Sequence, residues 1–240
     1  MKISSILKTG LFFLMFVADA SAVQPFLSVD AATLWANPAY SQRLNLYNTL
    51  GNTYIANKPW RNNNTLILGL GLRTLHRDPV QLNTSLRFLP MTGMPLSGEV
   101  MQLHSPQFRN LAYHYDVHST VLLVDNILTW NKHRLQPGLI AGLGGASNTA
   151  GNYQEVPLNN HAASALDNFK SGHRTQWAYE LGAVLDYAFK DVVFECAYRF
   201  IDAGRGQLGL NPLQSTSERL STGPLHYQTL SLGVRFYHAL

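Results

Sequence analysis

The sequence predicts an all-β fold, a closed up-and-down antiparallel barrel of eight strands that crosses a membrane. Three observations carry this: side-chain chemistry that alternates residue by residue, an apolar set suited to lipid rather than to a soluble core, and connections of alternating length. The alternation is plainest between residues 172 and 204. Trp177, Tyr179, Leu181, Ala183, Leu185, Tyr187 and Phe189 share one parity, and Gln176, Glu180, Gly182, Asp186 and Ala188 the other. A Lys190-Asp191 turn then leads to Val192, Phe194, Cys196, Tyr198 and Phe200, set against Val193, Glu195, Ala197, Arg199 and Ile201. A period of two is a β-strand between two environments. Aromatics at both ends of an aliphatic row, with charges on the opposite face, are the dressing of a transmembrane strand. The steps from Trp177 to Phe189, at ~3.3 Å each and a ~40° tilt, rise roughly 30 Å, one bilayer core.

Composition agrees. Charged residues are 13% of the 240, against about 25% in soluble domains, so something other than water covers much of the surface. The net charge is +4, but Lys and Arg are scattered without a basic cluster, which argues against nucleic acid as a partner. Lys2 and Lys8, an apolar run from Leu11 to Val17 and the small-residue site Ala20-Ser21-Ala22 read as a secretory signal over 1–22, leaving one barrel domain over 23–240. No apolar stretch reaches the ~20 residues of a membrane helix. The single cysteine, Cys196, excludes an internal disulfide and reads as a small lipid-facing residue.

The first segment, Phe26 to Trp35, has Asp30 and Ser28 to mark its inner face. Arg43 to Asn57 can hold a further strand or a short helix, but an extra strand would break the even count, so it is assigned to the first loop. The second, Thr65 to Thr74, sets Leu66, Leu68, Leu70 and Leu72 against Gly69, Gly71 and Arg73. In the third, Val80 to Pro90, Leu82, Thr84, Leu86 and Phe88 face out and Arg87 faces in. The fourth, Leu111 to Val124, is read with Leu111, Tyr113, Tyr115, Val117, Ser119, Val121 and Leu123 toward lipid and His114, Asp116, His118 and Thr120 inside. The fifth, Arg134 to Gly145, turns Arg134 inward and Leu135, Pro137, Leu139, Ala141 and Leu143 outward. Pro137 removes a ladder donor and is expected to mark a bulge at the periplasmic rim. The sixth and seventh are the opening pair, Gln176 to Phe189 and Val192 to Ile201. The eighth, Tyr227 to Tyr237, exposes Leu230, Leu232, Val234 and Phe236 and turns Arg235 inward. Residues 77–79, 125–133 and 190–191 make short links, whereas 36–64, 91–110, 146–175 and 202–226 are long and rich in turn-forming residues. Long loops then lie outside the cell and both termini on the periplasmic side.

This parity leaves no ionised residue facing lipid. Inside it collects Asp30, Asp116, Glu180, Asp186 and Glu195 with Arg73, Arg87, Arg134, Arg199 and Arg235. An eight-stranded barrel is filled by its own side chains, and an unpaired buried charge costs several kcal/mol, so the interior is expected to be a paired, charged plug. Asp186 falls opposite Glu195, a like-charge pair that Arg235 is expected to bridge. His114, His118 and Thr120 form an interior polar cluster in this reading, and Trp177, Tyr179, Tyr187, Phe189 and Phe236 the aromatic girdle.

The pattern from Phe26 to Tyr237 resembles the small eight-stranded outer-membrane barrels of the OmpA and OmpX type, by pattern and not by motif. The resemblance implies the outer membrane of a Gram-negative bacterium, contact with outer-membrane lipids and lipopolysaccharide, and a monomer. The last strand resembles a signal for the barrel-assembly machinery, although His238-Ala239-Leu240 follow its terminal aromatic. Some barrels of this size resemble lipid A-modifying enzymes that need a Ser and a His together near the outer leaflet. Here the alternation puts His118 and Ser119 on opposite sides of one strand, so no catalytic residue is assigned. His114 and His118 stand ~13 Å apart along a strand and cannot share an ion without ligands from elsewhere, so no metal and no cofactor is expected. The loop aromatics Tyr40, Tyr47, Tyr54, Trp60, Tyr153 and Phe169 suit either recognition or rim packing. The expected function is non-enzymatic: recognition or adhesion through the loops toward a host or envelope ligand, or support of envelope integrity. The alternatives are a lipid A-modifying enzyme and a narrow pore.

Overall fold

The computed structural model describes residues 24–47, 50–158, 169–211 and 216–238. The expected signal peptide lies outside the described residues. Ten strands run in chain order: β1 (Gln24–Ala36), β2 (Gln42–Tyr47), β3 (Leu50–Ala56), β4 (Arg61–Arg77), β5 (Val80–Met101), β6 (Arg109–Trp130), β7 (Leu135–Pro157), β8 (Gly172–Phe189), β9 (Val192–Gln207) and β10 (Ser221–Tyr237). Eight close a ring of antiparallel neighbours, β4 to β10 in sequence with β1 sealing β10 to β4. The barrel is therefore closed and up-and-down, as the alternation predicts.

The Arg43–Asn57 segment, assigned to a loop, instead forms the β2–β3 hairpin, yet the ring keeps its even number. Ladder pairing of β4 with β5 ends at Leu68 and Phe88, and higher up β3 takes the vacated edge of β5 from Gly98 to Met101. On the hairpin's other side Gln42 donates to the Arg219 carbonyl at 2.9 Å, and the Glu218 carboxylate accepts from the Asn45 amide at 3.1 Å. The hairpin thus extends the wall beyond the membrane without entering the transmembrane ring.

The long loops of the sequence reading are mostly strand. β5, β6 and β7 run 22, 22 and 23 residues, about twice the 9–11 that cross a bilayer. Turn-rich composition was overridden because each extension finds a neighbour to satisfy its backbone groups. Pro137 makes no bulge: its register with Leu185 is continuous and pairing with β6 ends at Gly138, so only one side of the ladder passes it.

Outward residues change solvent along the strands. On β8 Phe189, Tyr187, Leu185, Leu181, Tyr179 and Trp177 are exposed and apolar, followed by exposed Thr175 and His173. On β6 exposed Trp130, Val124 and Leu122 give way to exposed Thr120, His118 and His114. One half of the barrel is dressed for hydrocarbon, and the other, extracellular half is dressed for water.

The wall also opens locally between β8 and β9. The β8–β9 ladder stops at Tyr179 and Asp202 and contact resumes only at the Lys170–Gly209 bridge. Between these points β8 spends two more residues than β9, and the strands part.

Candidate functional site: a sealed interior in two layers

The interior is built from inward parity on all eight ring strands. In the membrane half Arg87, from β5, is buried among three acids: Nη1 donates to Asp30 Oδ2 at 2.7 Å, Nε lies 2.9 Å from Asp125 Oδ2, and Nη2 is 3.2 Å from Glu195 Oε1. Arg199 pairs with Glu195 four residues earlier on β9, donates to Ser231 Oγ at 2.6 Å and lies 3.8 Å from Glu180. Arg235 bridges Asp186, at 3.1 Å, and Glu195, so the like-charge pair in register on β8 and β9 is separated by the expected guanidinium. Glu195 thus receives three arginines. Each is fully desolvated, where a charge without partners would cost several kcal/mol and where charge-assisted hydrogen bonds are at their strongest.

Small residues make the room. Gly142 stands in register between Asp125 on β6 and Glu180 on β8, and a Cβ there would enter both side chains. Gly182 faces Arg199 so closely that a Cβ would lie 3.2 Å from its Cγ. Toward the periplasm the Phe26 and Tyr237 rings pack at 5.4 Å, and the Arg73 guanidinium lies 3.9 Å over Tyr237 while donating to Gln24.

Above the charges the lumen is apolar. Leu89, Met91, Val117, Val121 and Tyr227 are buried, then Leu44, Tyr54, Val100, Leu111, Tyr113, Tyr115, Tyr153, Phe169 and Leu220. Tyr54 meets Tyr113 edge-on at 5.5 Å and Phe169 meets Tyr153 edge-on at 5.0 Å, geometries that suit aromatic quadrupoles. Burial holds the phenols of Tyr113, Tyr115 and Tyr153 well above the usual tyrosine range, and the Glu155 carboxylate that accepts from Tyr153 adds to the rise there.

Against this geometry several assignments change. Asp30, Arg87, Glu180, Asp186, Glu195, Arg199 and Arg235 are inside and join one network. Arg73 is half-buried at the periplasmic rim and pairs with no acid among the described residues. Arg134 is exposed in the turn before β7, its parity continuing inward but its position lying below the barrel wall. The fourth segment, Leu111 to Val124, faces the opposite way from its expected parity, and the strand runs on through the expected link to Trp130. His114, His118 and Thr120 are exposed on the outer surface, and Asp116 faces out, where it accepts from Asn152 at 3.0 Å. Tyr113, Tyr115, Val117, Ser119, Val121 and Leu123 point inward. The inverted parity also hid Asp125, which is fully buried and pairs with Arg87. Its signal was in the sequence: continued past Val124, the opposite parity reads Leu122, Val124, Asn126, Leu128 and Trp130, a lipid row with a terminal aromatic. The girdle residues Trp177, Tyr179, Tyr187, Phe189 and Phe236 are all exposed on the outer face. Of the loop aromatics, Tyr54, Tyr153 and Phe169 are core, while Tyr40 and Trp60 are exposed.

No protein-family model matches the chain, and no curated protein sequence matches it. Among solved structures it is similar to the outer membrane protein OprG from Pseudomonas aeruginosa, with 17% identity over 90% of this chain and 97% of that one and a TM-score of 0.52. It is also similar to the Neisserial surface protein A, with 12% identity over 90% and 99% and a TM-score of 0.47. The outer membrane protease OmpT from Escherichia coli has 10% identity over 90% and 96% and a TM-score of 0.45. The likeness to OprG shows the fold, that of a small outer-membrane β-barrel.

Proposed function

We propose that the chain is a non-enzymatic integral protein of the bacterial outer membrane that works through its extracellular extension, by binding an envelope or host partner. The observation that carries this is the filled lumen, charged in the membrane half and apolar above it. Chemistry for recognition is then left to the outside, where Tyr40, Trp60, Leu103 and Phe108 are exposed large apolar residues on connecting segments. Exposed aromatics of this kind anchor interfaces.

A lipid A-modifying activity is the weaker reading. Ser119, its candidate nucleophile, is buried inside the barrel with its hydroxyl 2.9 Å from that of Tyr227, while His118 lies on the outer surface. Mass spectrometry of lipid A from cells with and without the protein is expected to show no change.

Two measurements test the proposal together. In planar bilayers the purified barrel should give no steady conductance, and a stable open level would overturn the sealed interior. Replacing Trp60 and Phe108 with serine should abolish a surface interaction found by screening intact cells against host and envelope components. Unchanged binding would move recognition elsewhere.

A further inference from the structure

We infer that the opening between β8 and β9 is a binding site for the phosphorylated saccharide headgroup of an outer-leaflet glycolipid. The cavity there, about 390 Å³, is lined by Arg174, Gln176, Asp202, Gly204, Arg205 and His226, with Pro224 at its side. Its size lies within the range of small-molecule sites.

Three features of the wall create it. Where the ladder parts, backbone edges that a closed barrel would pair are replaced by side-chain bridges: Asn148 donates to the carbonyls of Ala203 at 2.6 Å and Arg205 at 3.3 Å, and Gln176 donates to the Arg205 carbonyl. These close the window from behind and leave it as a recess facing outward. Gly204 then takes a positive φ of 77° while the register of β9 with β10 shifts beside it. Such bulges re-aim a side chain, and Arg205, whose parity further down β9 is inward, comes out exposed. On the opposite lip Arg174, which shares the inward parity of Glu180 on β8, is exposed as well and lines the recess.

Charge and level select the occupant. Two guanidiniums face one recess, a fork geometry that matches phosphate oxygens. The nearby Asp202 carboxylate is engaged, accepting from the Gly204 amide at 2.8 Å and lying 3.3 Å from His226 Nε2, which leaves both arginines for an anion. Arg205 also rests 6.0 Å from the ring of Tyr40, which packs beside Gly223 on the β10 side of the recess. The upper girdle begins just below the recess: Phe200 packs at 5.3 Å against His226, which lines it, and at 6.3 Å against Tyr179. A ligand seated here has its anionic, hydroxyl-bearing part on the arginines, Gln176 and His226. Any acyl chains continue down the exposed face of Leu181, Tyr198 and Leu185. A soluble anion would use the arginines but not the girdle below them. A glycolipid uses both.

The experiment is native mass spectrometry of the full barrel released from nanodiscs containing bis-phosphorylated lipid A, with dephosphorylated lipid A and excess inorganic phosphate as parallel arms. Wild type should retain phosphorylated lipid A, and the R174A/R205A double variant should retain it at least about tenfold more weakly, the loss expected from removing two charge-assisted contacts. The K132A/R134A variant, altered at the far rim, should behave as wild type, and each variant must show the heat-modifiable mobility of a folded barrel. Retention within twofold in R174A/R205A would overturn the proposal, as would equal retention of the dephosphorylated lipid. Displacement of the lipid by inorganic phosphate alone would overturn the glycolipid as occupant.

Discussion

Glu195 is the residue on which the membrane half converges, since Arg87, Arg199 and Arg235 all donate to it. The buried layer is not balanced. Asp30, Asp125, Glu180, Asp186 and Glu195 meet only those three arginines. The two signs should therefore respond differently to removal. Arg87→Ala takes from Asp125 the arginine it pairs with and from Asp30 its nearest one, and is expected to cost about 3–5 kcal/mol, read as a lower urea midpoint for unfolding from lipid vesicles. Asp125→Asn keeps shape and lowers the excess of acid, and should stay within about 1 kcal/mol of wild type or gain stability. Equal losses in the two variants would show that charge balance is not what organises the layer. In the extracellular core the tyrosines Tyr113, Tyr115 and Tyr153 have raised pKa values in the folded state. A raised value contributes stability that is complete below the unfolded tyrosine pKa near 10. That contribution is lost as pH climbs through the folded value. Absorbance titration should accordingly show these phenols un-ionised near pH 10, and the extracellular half should weaken only above that pH.

At the scale of elements, β8 and β9 were legible because charged residues mark one face of each along its length. β6 was not legible in the same way. Its upper apolar row, Tyr113 to Leu123, reads identically whether it faces lipid or a protein core, and only the neighbours that form the core distinguish the two. Those neighbours, Tyr54, Tyr153 and Phe169, come from segments assigned to loops. The hairpin β2–β3 escaped for a related reason. An even strand count constrains the ring, and nothing in local alternation says that a strand can pair above the ring instead. The boundary on β6 is directly measurable. In a background lacking Cys196, His118→Cys should react with a membrane-impermeant maleimide on intact cells, whereas Val124→Cys should not. Comparable labelling of both would place the hydrocarbon edge elsewhere.

The whole molecule is two proteins in one wall, a membrane barrel with a charged interior and a water-exposed barrel with an apolar one. The sequence carried the closed architecture and the buried arginines, which follow from local period and charge. It did not carry the division between halves, which depends on where the chain crosses the water boundary. The halves should fail separately. Tyr54→Ala removes a fully buried ring from the extracellular core, a change of about 3–5 kcal/mol by comparison with other aromatic truncations. It should open the β2–β3 hairpin to trypsin added outside cells while the heat-modifiable membrane half persists. Loss of both together would show a single cooperative unit.

Between Leu111 and Thr129 the inward parity of β6 never switches, even as the outward row changes from Thr120 to Leu122 within one step of the pleat. A body built this way has a waterline. Sinking it by one pair would carry Thr120 and then His118 into oil, and lifting it would wet Leu122 and Val124. Both displacements are opposed, so the barrel floats at one draught, and whatever its outer surface binds is presented at a constant height above the bilayer.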